Sequence, residues 1–279
     1  MARRFPEEYR TAFLTGAGSG LGRAFAEMLL AEGLEVWGTS RDPSRLPSFS
    51  PRFHPVALDL ADAAAALDAY RSAETGAGGG FDLVVNNAGY GIFGEFASLP
   101  GAVWEAQVGA MLVANLRLTH AAYSGMRARG RGCLVNVSSM AAEFALPFMS
   151  GYNVAKAGLS ALSESLLFES MGTDVRVIDF RPGDYRTAFN QSMQRAPASH
   201  EASSRTQSVW KVLEANLAAS PVPARAAADL RRALRGRRRG IVRSGSVFQV
   251  RIAPLLARLV PSCVVRAGAA RFFGLTKGD

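Results

Sequence analysis

The stretch TAFLTGAGSGLG at residues 11–22 begins the regular structure of this chain. Its first four residues form a short apolar run typical of a strand, and apolar residues after Gly22 recur with helical spacing. Strand, glycine loop and helix follow one another in the order that a phosphate-binding site requires. Glycine allows positive φ and close approach of a ligand, and a helix N-terminus offers free N–H groups. The stretch therefore predicts an anion site, with a simple tight turn as the alternative.

The rest of the chain continues this alternation of strands and helices. The predicted strands lie at residues 11–14, 34–40, 53–58, 81–85, 133–137, 174–180 and 240–243. Strands that alternate with helical patterns favour a Rossmann-like, doubly wound α/β fold, in which a single seven-stranded parallel sheet has helices on both faces. Because no linker or internal repeat interrupts the pattern, we predict one domain over residues 1–279. Residues 184–222 break the rhythm.

The composition excludes several classes of protein. With 279 residues, 48% apolar content and 28 glycines, the chain can bury a full α/β core and is unlike disordered or fibrous proteins. Cys133 and Cys263 lie far apart and the three histidines are scattered, so we predict buried, reduced thiols and no metal site. The chain shows neither a secretory signal nor an apolar run of about 18 residues, and we expect a cytoplasmic protein.

Positive charge is concentrated in the last part of the chain. The net charge is +9, and residues 225–279 contain thirteen Lys or Arg against two Asp, hence +11, which leaves −2 for residues 1–224. The C-terminal extension, residues 244–279, mixes arginines with apolar residues. That mixture suits peripheral contact with an anionic membrane, and a solvated arginine face on a subunit-packing segment is the alternative. We expect no nucleic-acid partner, because the chain has no recognition motif.

A tyrosine and a lysine form the candidate acid–base pair. Tyr152 and Lys156 are four residues apart in a helical pattern over 151–171, which places them on one face of the helix. A neighbouring ammonium group favours the phenolate and lowers the tyrosine pKa from its usual value of about 10. Tyr152 is therefore predicted to exchange a proton near neutral pH, although this spacing also occurs in helices without function. Ser139 lies thirteen residues upstream, at the end of a predicted strand.

The turn after the second predicted strand bears on the choice of cofactor. In dinucleotide-binding folds the residue at this strand end faces the adenosine ribose, where an acid selects a free 2′-hydroxyl and an arginine accommodates a 2′-phosphate. Ser40 and Arg41 occupy the turn and favour NADP(H), while Asp42 leaves NAD(H) possible.

Taken together, the motifs resemble those of the short-chain dehydrogenase/reductase family, of the Tyr-x-x-x-Lys type. The resemblance spans about residues 8–243, and the motifs occur in the order and at the separations of that family. They are Thr15-Gly16-x-x-x-Gly20-x-Gly22, Asp59, Asn86-Asn87-Ala88-Gly89, Asn115, Ser139, Tyr152, Lys156, and Pro182-Gly183 followed by Thr187. The turn at residues 39–42 and the segment 184–222 are also similar to those of steroid and retinol dehydrogenases in the family.

The resemblance implies an oxidoreductase that transfers a hydride between a nicotinamide cofactor and a carbonyl or alcohol. In the family's tetrad Tyr152 would be the general acid or base, Ser139 would hydrogen-bond the substrate oxygen, and Lys156 would bind the nicotinamide ribose and lower the Tyr152 pKa. Asn115 would hold a water in a proton relay. The implied cofactor contacts are Gly16, Ser19, Gly20, Leu21, Gly22, Arg41, Asp59, Leu60, Asn87, Ala88, Gly89, Tyr152, Lys156, Pro182, Gly183 and Thr187.

Apolar side chains are expected around the substrate, partly in a substrate lid over residues 184–222. They are Tyr90, Ile92, Phe93, Phe144, Phe148, Met149, Tyr185, Phe189 and Met193. Such a lining suits a small hydrophobic ketone, aldehyde or alcohol. Asp184 departs from the family pattern, which commonly has a small or apolar residue at this position.

Two classes of function stay open at the level of sequence. The first is an NADP(H)-dependent oxidoreductase that acts through Tyr152, and the second is a non-catalytic NADP(H)-binding sensor or scaffold of the same fold. The intact Ser139, Tyr152 and Lys156 favour the enzyme, because a pure binder does not need an acid. We also expect a homo-oligomer, either a dimer or a tetramer.

Overall fold

A parallel sheet lies at the centre of the structure, a computed structural model that describes residues 5, 7–47, 50–187, 189, 193–195 and 204–275. The strands of the described residues are β1 (Thr11–Leu14), β2 (Glu35–Ser40), β3 (Phe53–Ala57), β4 (Leu83–Asn86), β5 (Ile92–Phe93), β6 (Arg131–Val137), β7 (Asp174–Pro182), β8 (Gln194–Arg195) and β9 (Gly240–Ser244).

Seven of these strands form the main sheet, in the order β3-β2-β1-β4-β6-β7-β9, and all neighbours are parallel. The predicted seven-stranded, doubly wound fold is confirmed. The chain leaves β1 toward one edge and returns to β4 on its other side, so the connections after β1 and β4 diverge at the carboxyl ends of these strands. Ligands of open parallel sheets bind in the crevice that forms at such a reversal.

Helices cover both faces of the sheet. They are α1 (Gly20–Ala31), α2 (Ala63–Gly76), α3 (Gly101–Val108), α4 (Ala114–Arg129), α5 (Ser150–Glu169), α6 (Ser204–Ala219), α7 (Pro223–Arg235), α8 (Ala253–Leu259) and α9 (Ser262–Phe272). On one face α1 and α7 pack together, with Phe25 and Leu230 fully buried. On the other face α2, α4 and α5 bury Tyr70 and Leu118. Each such side chain contributes about 1.5–3 kcal/mol through its burial.

The segment 184–222 is more regular than its sequence suggests. A helix, α6, occupies its second half, and β8 pairs with β5 in a second, two-stranded sheet. The helix forms because Val209, Trp210 and Leu213 recur at three- and four-residue spacing and are all buried. This part of the segment therefore has regular structure, although it interrupts the alternation of strands and helices.

The C-terminal extension is helical as well. A π-helical turn over Phe248–Ile252 leads into α8, and α9 follows. Pro254 lies in the first turn of α8 and Pro261 immediately precedes α9, so both prolines begin helices, where a missing N–H costs nothing, and do not interrupt them. Within the described ranges, no helix is both long and apolar enough to cross a membrane.

Candidate active site

The glycine loop between β1 and α1 leaves room for a ligand at the start of the helix. Gly16 and Gly20 have φ of +71° and +54°, which favour glycine. A Cβ at Gly22 would lie only 1.9 Å from the carbonyl oxygen of Gly16. The side chain of Ser19 does not cap the helix within the described residues, and the first turn holds no acid. The free N–H groups at this end fit the pyrophosphate of a dinucleotide.

Hydrogen bonds from the end of β4 hold this loop in place. The backbone nitrogens of Asn87 and Ala88 donate to Oγ1 of Thr15 at 2.8 and 2.9 Å, and Nδ2 of Asn87 donates to the Thr15 carbonyl at 2.9 Å. The same turn brings Gly89 beside Lys156, where a Cβ at Gly89 would lie 3.6 Å from Nζ. The predicted cofactor residues 16–22 and 87–89 are therefore neighbours in space.

Arg41 lies exposed at the end of β2, in the same region as Asp59 and Tyr90. Burial raises the pKa of the Tyr90 phenol, the charge of Asp59 raises it further, and the charge of Arg41 lowers it. These three side chains are therefore close enough to interact. Leu60 is buried in the core next to exposed Asp59.

Asp42, the residue that kept NAD(H) possible, is engaged in local structure. Its carboxylate accepts hydrogen bonds from the nitrogen and the hydroxyl of Ser44, at 3.1 and 2.6 Å, and lies 3.2 Å from Nε of Arg45. The hydrogen bond from Ser44 lowers the pKa of Asp42, so the carboxylate caps the turn. Arg41, by contrast, forms no ion pair with any described residue.

Lys156 is buried and lies beside a network of hydrogen-bonded polar groups. Its Nζ donates to the carbonyl oxygen of Val137 at 2.7 Å. Burial lowers the pKa of Lys156 to about 8, and the charge of Asp179 opposes this shift. Asp179 accepts hydrogen bonds from Ser160 Oγ and Arg181 Nε, both at 2.7 Å. A buried carboxylate requires such partners. An acid within an apolar strand is the feature of the sequence that could have predicted this network.

Tyr152 lies on α5, hydrogen-bonded to Ser139 at the end of β6. Lys156 Nζ is 5.7 Å from the centre of the tyrosine ring. Burial raises the pKa of Tyr152 to about 12, the hydrogen bond from Ser139 lowers it, and the charge of Asp184 raises it. The expectation that Lys156 lowers this pKa is not met in the structure, because burial outweighs the other effects and the ammonium group is turned toward Val137.

Asn115 sits just after a π-helical turn, Gly109–Val113, that joins α3 to α4. Its Nδ2 donates to the Met111 carbonyl at 2.8 Å. Its Oδ1 is buried and has no hydrogen-bond partner in the part of the chain that the structure describes. An unpaired buried acceptor costs about 1–3 kcal/mol, so this atom is suited to bind a water. The apolar residues of this region recur with ordinary helical spacing, which gives no sign of the π turn.

The end of β7 meets both the glycine loop and the C-terminal extension. A Cβ at Gly20 would lie 3.5 Å from Thr187, so the residues after Pro182 reach the loop. Asp184 accepts a hydrogen bond of 2.7 Å from Nε2 of Gln249, and burial raises its pKa. Gln249 belongs to the C-terminal extension and was not foreseen as part of the site.

An apolar cluster borders Tyr152 on the substrate side, and we name it the cleft cluster. Its members are Phe93, Leu146, Phe148, Met149, Tyr152, Phe189, Met193, Val209, Trp210, Val212, Leu213, Phe273 and Leu275. Five side chains of the predicted lining are among them, and most of the others come from α6 and from Phe273 and Leu275, which follow α9. Tyr185 is not, because it packs in the core beside α1 and α7 and its hydroxyl pairs with Ser244. Tyr90, Ile92 and Phe144 also lie outside the cluster.

Together these features define a site for a dinucleotide next to a half-buried tyrosine and an apolar cluster. A family model described as short chain dehydrogenase matches residues 10–198. The chain belongs to the short-chain dehydrogenase/reductase family, whose members are NAD(P)-dependent oxidoreductases acting on CH–OH groups.

Known proteins agree with this assignment. The chain is 30% identical over 219 residues to dehydrogenase/reductase SDR family member 4 of Bos taurus, which covers 76% of this chain and 78% of the relative. A short-chain dehydrogenase from Streptomyces avermitilis superposes with a TM-score of 0.78 at 26% identity, over 98% of both chains. A metagenomic short-chain oxidoreductase in complex with NADP has a TM-score of 0.59 at 30% identity, and the match covers 64% of this chain and 86% of that one.

Proposed function

We propose that the protein is an NADP(H)-dependent oxidoreductase that interconverts a small hydrophobic ketone or aldehyde and the corresponding alcohol. The observation that carries the proposal is the position of Tyr152. Its phenol is hydrogen-bonded to Ser139, lies near Lys156 and faces the cleft cluster. A proton donor at this point serves a carbonyl oxygen that an apolar substrate presents.

The chain's own groups divide the work of proton transfer. The cofactor, when bound, supplies or accepts the hydride. Tyr152, with a pKa of about 12, keeps its proton at neutral pH and can donate it to a carbonyl oxygen during reduction. Ser139 Oγ, which accepts from the nitrogen of Ala141 at 3.0 Å, is held where it can donate to the same oxygen. Lys156, mostly protonated below its pKa of about 8, fits the binding of a ribose hydroxyl beside Gly89.

Asn115 completes the tetrad in this proposal. Its unpaired Oδ1 accepts a hydrogen bond from a water that returns protons to the buried site. The π turn supports this role, because it leaves the Met111 carbonyl to hold the Asn115 amide from the other side.

The preference for NADP(H) rests on the two neighbours at the end of β2. Arg41 is exposed and unpaired among the described residues, whereas Asp42 is used by Ser44 and Arg45. An arginine at this point is suited to a 2′-phosphate, and an acid already capping a turn is poorly placed to take a ribose hydroxyl. The NADP-bound relative is in keeping with this preference, and NAD(H) remains the second cofactor to test.

The proposed substrate class follows from the cleft cluster, which brings buried and half-buried apolar side chains together beside Tyr152. We propose that residues 184–222 act as a lid, since Val209 and Trp210 of α6 are buried in this cluster together with Phe93. Among the described residues, Asp184 is an acid whose charge acts on Tyr152, so the proposed substrate is one that tolerates a carboxylate near the reacting oxygen. The leaning toward steroid and retinol dehydrogenases stays a prediction.

Two adjacent helices suggest how copies of the chain associate. Val113 and Leu116, beside and on α4, and Val154 on α5 expose 45%, 48% and 55% of their surface. We propose that this face, called the α4–α5 face, joins two chains in a homodimer.

We also propose a cytoplasmic location. Cys263 is exposed and unpaired, contrary to the expectation of two buried thiols, and a free surface thiol persists best in a reducing compartment.

The test is turnover of hydrophobic ketones and aldehydes, followed as oxidation of NADPH, with NADH run in parallel. We expect Tyr152→Phe to lose roughly 10²–10⁴-fold in kcat and to bind NADPH as the wild type does. Tyr123→Phe is the matched control, because Tyr123 is buried on α4 away from the site. Full activity in Tyr152→Phe would refute the mechanism. Tight NADPH binding without turnover by the wild type over the whole panel would favour the sensor or scaffold instead.

A further inference from the structure

The arginines near the end of the chain fall into two groups. Those of α7 and β9 pair with acids of the body of the protein: Arg235 with Glu32 at 2.8 Å, and Arg243 with Glu143 at 2.7 Å. Arg237 likewise pairs with a glutamate near the start of the chain. These cations are occupied in fixing α7 and β9 to the sheet, so they do not form a free basic surface.

The second group lies beyond β9. Arg251, Arg266 and Arg271 are exposed, and none of them forms an ion pair with a described residue. Residues 245–275 contain no Asp or Glu at all. Exposed arginines without an acidic partner among the described residues also occur elsewhere, as at Arg238 before β9, but those of the π turn, α8 and α9 lie in a segment of sequence that contains no acid.

The same elements expose large apolar side chains. We call them, together with the three free arginines, the C-terminal surface, and its apolar members are Phe248, Ile252, Leu255, Leu256, Leu259, Val260, Val264 and Phe272. Leu259 exposes 71% of its surface and Leu255 exposes 59%. Exposed apolar side chains in this number, on the π turn and the two short helices that follow it, are costly in water and mark a contact surface.

The opposite side of the extension is packed. Phe273 is buried in the cleft cluster, Pro254 in the first turn of α8 is buried, and Gln249 donates a hydrogen bond to Asp184. The helices are therefore fixed on the protein, and their outward side is a constant feature of the surface.

We propose that the C-terminal surface docks the protein on an anionic lipid bilayer, as a peripheral contact in which the leucines enter the headgroup region and the arginines meet lipid phosphates. Charge decides in favour of this occupant. Cationic side chains interspersed with apolar ones, with no acid among them, match an anionic interface. A second copy docking through the same surface would oppose arginine to arginine, which is unfavourable.

Sedimentation with lipid vesicles tests the proposal on the full chain. Vesicles of phosphatidylcholine mixed with phosphatidylglycerol are compared with vesicles of phosphatidylcholine alone. We expect the protein to pellet with the anionic vesicles. Replacing the three free arginines by glutamine is expected to weaken partitioning roughly a hundredfold, about fivefold for each. Replacing Leu255, Leu256 and Leu259 by aspartate is expected to weaken it roughly a thousandfold.

Two control proteins carry the same changes elsewhere on the surface. Arg10, Arg71 and Arg117, which are exposed on the body, are replaced by glutamine, and Phe96, Met171 and Val222, which are exposed apolar residues, are replaced by aspartate. Circular dichroism checks that each variant is folded. Retained pelleting in the controls with loss in the test variants supports the proposal. Equal recovery with and without anionic vesicles overturns it, and so does equal loss in test and control, or loss of self-association without any effect of vesicles.

Discussion

Tyr152 keeps its proton in this site because burial dominates its electrostatics. In the proposed mechanism, the pKa of about 12 has opposite consequences for the two directions of the reaction. Reduction uses the protonated phenol, which is present at every pH below this pKa. Oxidation uses the phenolate, whose fraction rises about tenfold for each pH unit in the same range. The direction of the reaction is therefore coupled to pH through this one residue.

Substitution of Asp184 is a way to change the pKa of Tyr152, and with it the pH dependence of the reaction. Its negative charge raises the Tyr152 pKa, so Asp184→Asn is expected to lower it and to shift the pH profile of alcohol oxidation toward lower pH. The measurement is kcat/KM for oxidation between about pH 6 and pH 10. Asp68→Asn, an exposed change on α2, should leave the profile in place. An unshifted or alkaline-shifted profile in Asp184→Asn would show that the two groups do not interact as described.

Arg41 decides between the two cofactors in our proposal. Without the guanidinium a 2′-phosphate loses a charge-assisted partner, so Arg41→Gln is expected to raise KM for NADPH by roughly 10- to 100-fold and to leave KM for NADH nearly unchanged. Arg45→Gln removes a cation close by that is paired with Asp42, and serves as the control. Equal changes for both cofactors in Arg41→Gln would remove the basis for the NADP(H) preference.

At the level of elements, the junction of β1, the glycine loop and α1 is the most constrained. An Ala at position 22 places its Cβ 1.9 Å from the Gly16 carbonyl oxygen and 2.6 Å from Nδ2 of Asn87. We expect Gly22→Ala to destabilise the protein by roughly 1–3 kcal/mol or more and to weaken cofactor binding. Urea unfolding and fluorescence titration with NADPH measure the two effects.

The control for this change is another helical glycine. Gly268 lies in α9, and a Cβ there meets no described atom within 4 Å. Gly268→Ala is expected to stabilise the helix by about 0.5–1 kcal/mol. If both substitutions had the same effect, the close packing at Gly22 would not be the reason for its glycine.

Strands were the easiest elements to predict, because strands buried on both faces are continuous apolar runs and each of the seven is bounded by turns or helices. The order of strand, glycine loop and helix and the placement of Tyr152 and Lys156 on one helix were also predicted, since these relations are local. The π turn before Asn115 was not, because a change of hydrogen-bond partner by one residue leaves no mark on hydrophobic spacing. Nor was the support of Asp179 by Ser160 and Arg181, which depends on which strands and helices become neighbours.

At the scale of the whole molecule, the sequence predicted a basic extension after the sheet. It did not predict that some arginines of this region pair with acids whereas others have no acidic partner among the described residues. That division depends on where Glu32 and Glu143 lie in space. The raised pKa of Tyr152 escaped for the same reason. A sequence gives the neighbours of a residue along a helix, whereas desolvation depends on everything that is packed over it.

Association of two chains is predicted at this scale. Leu116→Asp combined with Val154→Asp puts charges into the middle of the α4–α5 face and is expected to convert a dimer into a monomer. Light scattering after size-exclusion chromatography gives the mass. Met171→Asp, at an exposed apolar position outside this face, is the control. A wild-type mass of one chain, or a dimer that survives the double substitution, would rule out this interface.

Gln249 and Phe273 belong to the C-terminal extension and contact the proposed site. The residues proposed for proton transfer and some of those proposed to select the substrate therefore lie in different parts of the chain. The proposed proton-transfer residues all precede residue 157, in the part of the chain that emerges first during synthesis. Phe273 and Leu275, which pack in the cluster proposed to receive the substrate, follow the last helix of the described residues. Mutations, insertions or exchanges confined to that final stretch can therefore change which molecules the protein accepts while its sheet, its cofactor loop and its acid stay as they are.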